Sequence, residues 1–98
     1  MPPKIDENAS TPVNPQVIIN RTIILNCAVG GIPKPTIKWL VDGRPLVLGP
    51  RFRLLSENRQ LEIVRAEVPD QARYTCIASN PAGVADRDFD LDVLGMTR

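Results

Sequence analysis

Residues 70–79 read DQARYTCIAS. Tyr74, Cys76 and Ala78 occupy alternate positions, and Arg73, Thr75 and Ile77 fill the places between. This period of two belongs to a strand with one buried and one solvated face. Asn80-Pro81-Ala82-Gly83 follows as a tight turn, and residues 84–93, VADRDFDLDV, alternate again. Phe89, Leu91 and Val93 point inward in this reading. Asp88, Asp90 and Asp92 then point outward, with Asp86 beside them if the strand runs regularly that far.

The same period recurs toward the N-terminus. Residues 60–64 put Leu61 and Ile63 on one face, and residues 36–41, TIKWLV, do so with Ile37, Trp39 and Val41. Residues 21–29 place Ile23, Leu25, Cys27 and Val29 together. Asp42-Gly43 is a hairpin signal. Short edge strands are expected at Arg44-Pro45-Leu46, near Ile5 and near Val17, and a further strand at 51–55. Residues 66–71 have room for one helical turn. About seven short strands with turns every ~8–12 residues describe an all-β sandwich.

Composition agrees. Of 98 residues, 43% are apolar, enough for a core, and ten prolines and six glycines argue against long helices. No apolar run approaches the ~20 residues that cross a bilayer. The formal charge of +1 does not by itself point to a polyanion partner such as nucleic acid. The start, MPPKIDEN, lacks the apolar core and cleavage site of a signal peptide, so a fragment of a longer protein is expected. Residues 1–95 read as a single domain, and 96–98 as linker or tail.

Function narrows by exclusion. There is no histidine, so Ser–His and Cys–His nucleophile pairs cannot be built. No phosphate-binding glycine loop is present. Aspartates two apart on a straight strand sit about 6.6–6.8 Å from one another, too far to gather around one ion. No catalytic residue, metal ligand or cofactor is assigned. Two of the four aromatic residues, Trp39 and Tyr74, belong to the core, which leaves no stacking platform for nucleic acid. Lys34, Lys38, Arg44, Arg51, Arg53 and Arg59 are the cations that would offer a glycosaminoglycan a basic strip. Two cysteines allow one connectivity. Asn8-Ala9-Ser10 and Asn20-Arg21-Thr22 are glycosylation sequons, with Asn20 the favoured acceptor.

Cys27, Trp39 and Cys76, in this order and spacing, resemble the framework of an immunoglobulin domain. DQARYTC resembles that family's Asp-x-Gly/Ala-x-Tyr-x-Cys motif, with Ala72 in place of the commoner Gly. GGIPKPTIKW and ASNPAG resemble the I-set subclass. The strings NRTIILNC, LEIVRAEVPDQARYTCIASNPAG and FDLDVL are similar to the repeats of hemicentin-type extracellular matrix proteins.

The resemblance implies a Greek-key sandwich of two antiparallel sheets joined by a Cys27–Cys76 disulfide. Trp39 and Leu61 would lie in its core. Tyr74 would bond upstream backbone, and Asp70 would pair with Arg51 or Arg53. It implies a non-catalytic, secreted adhesion or spacer repeat whose partners are neighbouring immunoglobulin domains and extracellular or cell-surface proteins. The alternative is an intracellular muscle-type I-set domain of a filament protein. The expected interaction face carries Lys38, Leu40, Arg73, Ile77, Asp88 and Asp90, with Leu40 and Ile77 as exposed apolar residues.

Overall fold

A computed structural model describes residues 1–95; the tail assigned to 96–98 lies outside the described residues. Among the described residues there are ten strands and one 3-10 turn. They are β1 (Lys4–Ile5), β2 (Gln16–Ile18), β3 (Ile23–Asn26), β4 (Val29–Gly30), β5 (Thr36–Val41), β6 (Arg44–Pro45), β7 (Phe52–Leu55), β8 (Gln60–Ile63), the turn Val68–Asp70, β9 (Ala72–Asn80) and β10 (Gly83–Leu94). A five-stranded sheet in the order β2-β10-β9-β5-β6 faces a three-stranded sheet, β3-β8-β7, and β1 pairs with β4.

Alternation makes the core. Leu25, Cys27, Leu61, Ile63, Ala66, Cys76, Ala78 and Phe89 have no solvent exposure, and Trp39 and Tyr74 have almost none. All but Cys27, which follows β3, and Ala66, which follows β8, come from inward positions of period-two strands, so the two sheets bury one face each. The Cys27–Cys76 bond joins the sheets with its Cα atoms 6.5 Å apart. It spans 49 residues, and on the chain-entropy model a loop of about that length contributes roughly 4 kcal/mol. Trp39 is the register partner of Cys76 and stacks on Phe89 with ring centroids 5.8 Å apart. Its indole N–H donates to the Asn58 carbonyl at 2.7 Å, which satisfies the one polar atom the ring buries.

Two expectations change in detail, and the Asp42-Gly43 turn holds. The strand expected over 21–29 is two strands, because the backbone changes partner at its centre. The β3–β8 ladder ends at Asn26↔Gln60. The Cys27 N–H then donates to the Arg59 carbonyl, the Ala28 N–H donates to Ser10 Oγ, and β4 pairs with β1. The edge strand expected over 44–46 is two residues long. Asp42 and Gly43 have φ of 51° and 81°, the positive pair that a two-residue hairpin turn demands.

The N-terminal segment changes sheets. Thr11 donates its N–H to Asn26, on the three-stranded side, whereas Val13 and Pro15 accept from Asp90 and Asp92 of β10. Pro12 stands at the changeover, where a residue without an N–H leaves no donor stranded.

Candidate functional site

The outer face of the five-stranded sheet is laid out in cross-strand rows. Asp86, Ile77 and Lys38 form one row across β10, β9 and β5. Asp88, Thr75, Leu40 and Pro45 form the next, extending to β6. Asp90 and Arg73 form the third. These positions alternate with the inward-facing ones along β5, β9 and β10, so the expected face residues do come together.

Side chains tie the rows. Arg73 donates through Nε to Asp90 Oδ1 at 2.8 Å and through Nη2 to Oδ2 at 3.4 Å. That guanidinium holds the Asp90 carboxyl below its ordinary pKa. Thr75 Oγ1 donates to Asp88 Oδ1 at 2.7 Å. Both ion-pair partners are exposed, so the pair orders the face more than it stabilises the fold. Leu40 and Ile77 correct an expectation. They are half-buried, not exposed, because each lies mid-row between side chains of adjacent strands.

Below the face, a corner holds β9 in register. Tyr74 Oη donates to the Asp70 carbonyl at 2.6 Å. Burial pushes the Tyr74 hydroxyl pKa up, aided by the charges of Asp70 and Asp42. Asp70 is 6% exposed and takes Arg51, not Arg53, as its partner. Arg51 Nη1 and Nη2 donate to its two oxygens at 2.7 and 3.1 Å, and the Glu67 N–H donates to Oδ2 at 2.8 Å. Burial alone would raise the Asp70 pKa, but these donors to the charged form outweigh it and leave the carboxyl below its usual value. Arg53 points to Glu62, 2.8 Å away.

The six cations named for a basic strip lie on several elements: Lys38 on β5, Arg44 on β6, Arg53 on β7, and Lys34, Arg51 and Arg59 on connections. Arg51 sits at the Asp70 end of β7, whereas Lys34 and Arg59 flank Glu57 beyond its other end. Lys34, Arg51 and Arg53 are each in an ion pair. The two sequons also differ. Asn20 is exposed at a turn with φ of 72°. Asn8 is exposed as well, but the Ser10 hydroxyl of its sequon is buried, donating to the Asp6 carbonyl and accepting from the Ala28 N–H.

One contributor was missed. Arg87 takes an inward position on β10, places its guanidinium 5.3 Å over the Phe89 ring and donates from Nη2 to the Thr11 carbonyl at 2.8 Å. It fastens the N-terminal segment where that segment leaves the three-stranded sheet. The inward parity of Phe89, Leu91 and Val93, carried back one step, would have found it.

Comparison with known proteins matches this geometry. The Immunoglobulin I-set domain model matches residues 7–93. Mouse hemicentin-1 is 46% identical over 77 residues, covering 79% of this chain and 1% of that protein. Rat neuronal cell adhesion molecule is 37% identical over 97 residues, covering 99% of this chain and 8% of that protein. The chain therefore spans only a small part of the length of these relatives. The crystal structure of the titin M3 domain superposes with a TM-score of 0.85 at 29% identity, covering 96% of this chain and 98% of that one. Immunoglobulin domains generally do not carry out catalysis. On its cystine, its tyrosine corner, its sheet order and these matches, the chain belongs to the immunoglobulin I-set family.

Proposed function

We propose that this chain is a non-catalytic adhesion and spacer module of a multi-immunoglobulin matrix or cell-surface protein. It works outside the cell, and it makes protein–protein contacts with neighbouring immunoglobulin domains and extracellular proteins through the outer face of the five-stranded sheet. Residues 1–95 act as one unit. The observation that carries the reading is the fully buried Cys27–Cys76 bond, since a structural cystine forms and persists in an oxidising compartment. The likeness to a neuronal cell adhesion molecule supports the contact role.

Glycan attachment at Asn20 is part of the reading, because the amide and Thr22 are both exposed. The test is to locate the full-length protein and digest it with a peptide-N-glycosidase. A surface or secreted protein that loses mass at the Asn20 peptide supports the reading. A cytosolic, unmodified protein overturns it. That outcome favours the second reading, a structural domain of an intracellular filament protein, to which the likeness to the titin M3 domain points.

A further inference from the structure

The outer face is polarised across its strands. β10 presents Asp86, Asp88 and Asp90 along one side of β9, and β5 presents Lys38 and Leu40 along the other. Asp88 and Asp90 are engaged by Thr75 and Arg73. Among the described residues, Asp86 and Lys38 take part in none of the ion pairs. They share a row with Ile77 between them, two strand spacings or about 10 Å apart.

A row that reads acid, apolar, base is its own complement under a two-fold rotation about its middle strand. Two in-plane axes are available. An axis running across the strands lays β10 on β10 and opposes aspartate rows. An axis running along β9 lays β10 of one copy over β5 of the other, so each Asp86 meets a Lys38 and Ile77 meets Ile77. Lower down, the same axis brings Arg73 toward Arg73 and Asp90 toward Asp42. Packed sheets cross at about 30°, so rows away from the crossing point diverge, and Arg73 already leans toward Asp90.

We propose that this face binds a second copy of the chain, face to face about an axis along β9 and centred on Ile77, with two Asp86–Lys38 pairs. The proposal rests on reading this face as the contact surface, and adds its partner. Four strands by three rows cover at most about 400 Å² per copy, or about 800 Å² in total, below the ~1,200–2,000 Å² of stable interfaces and in the range of weak, transient contacts. Association is therefore weak for a single domain and gains strength by avidity when domains are repeated in an array.

Sedimentation equilibrium of the disulfide-bonded chain, from micromolar to millimolar concentration and at low and high salt, tests it. Wild type is expected to show a monomer–dimer equilibrium that salt weakens. Asp86→Lys and Lys38→Asp alone should each weaken self-association by about tenfold or more, since like charges then face each other twice. An equimolar mixture of the two variants should associate again, because both contacts are then complementary. Unchanged melting temperatures establish that the variants are folded. A wild type that stays monomeric to millimolar concentration, single variants that dimerise like wild type, or a mixture that stays monomeric overturns the proposal. Any of these leaves the extracellular reading standing if the protein is surface-located and glycosylated; a cytosolic, unmodified protein removes that reading separately.

Discussion

Removal of the Asp70 carboxylate tests the corner that sets the register of β9. Asp70→Ala deletes the acceptor of two Arg51 bonds and one Glu67 bond, at 2.7, 3.1 and 2.8 Å. Breaking a buried pair by removing one partner costs about 3–5 kcal/mol. Arg51 is 22% exposed and keeps contacts with the Val64 and Arg65 carbonyls, so part of its charge remains solvated. The expected loss is about 2–4 kcal/mol. For 98 residues the unfolding entropy is roughly 0.2 kcal/mol per kelvin, so the midpoint should fall by about 10–20 °C. Thermal and urea unfolding followed by Trp39 fluorescence measures this, and a double-mutant cycle with Arg51→Met isolates the pair. The sign of the pH effect follows from the depressed Asp70 pKa. The folded carboxyl resists protonation more than the unfolded one, whose ordinary value is 3.8. Its contribution is complete above that value and is lost as pH falls through the lower folded value. Asp70→Asn should therefore flatten the stability curve in that acid window. A loss under about 0.5 kcal/mol in Asp70→Ala, or a cycle without coupling, would refute the reasoning.

Other substitutions read the remaining layers. Leu61→Ala, at a site with no exposure, should cost about 2.7–5 kcal/mol in urea unfolding through the cavity it leaves. Tyr74→Phe removes the bond to the Asp70 carbonyl and should cost about 1–2 kcal/mol in the same assay, with the fold unchanged by circular dichroism. Thr22→Ala should abolish the Asn20 glycan in protein from a secretory host, read as a loss of glycosidase-sensitive mass, and leave the melting temperature nearly unchanged.

Much of this architecture is legible in the strand period. Tyr74, Cys76 and Ala78, with Phe89, Leu91 and Val93, announce their own inward faces because each side chain has only two directions to take. The rows of the outer face follow from the same parity. What the period cannot show is choice among partners. Arg51 and Arg53 share a parity, and only the return of the chain at Glu67–Asp70 decides which meets the carboxylate. The partner change at Cys27 depends on Ser10, seventeen residues earlier, whose hydroxyl replaces a ladder bond. Which of Lys34, Arg51 and Arg53 meets a carboxylate is likewise a matter of which strands and strand ends come together. Leu40 and Ile77 lost exposure because a side chain mid-row is shaded by its neighbours, which one-strand patterning does not count.

The claim beneath all of this is that one sulfur–sulfur bond clamps the two sheets in the working molecule and leaves only outer faces to act. Its most direct measurement is maleimide labelling of the native full-length protein, isolated without reductant and unfolded in denaturant, before and after reduction. The account predicts that Cys27 and Cys76 take up label only after reduction. Label on either cysteine before reduction would contradict it.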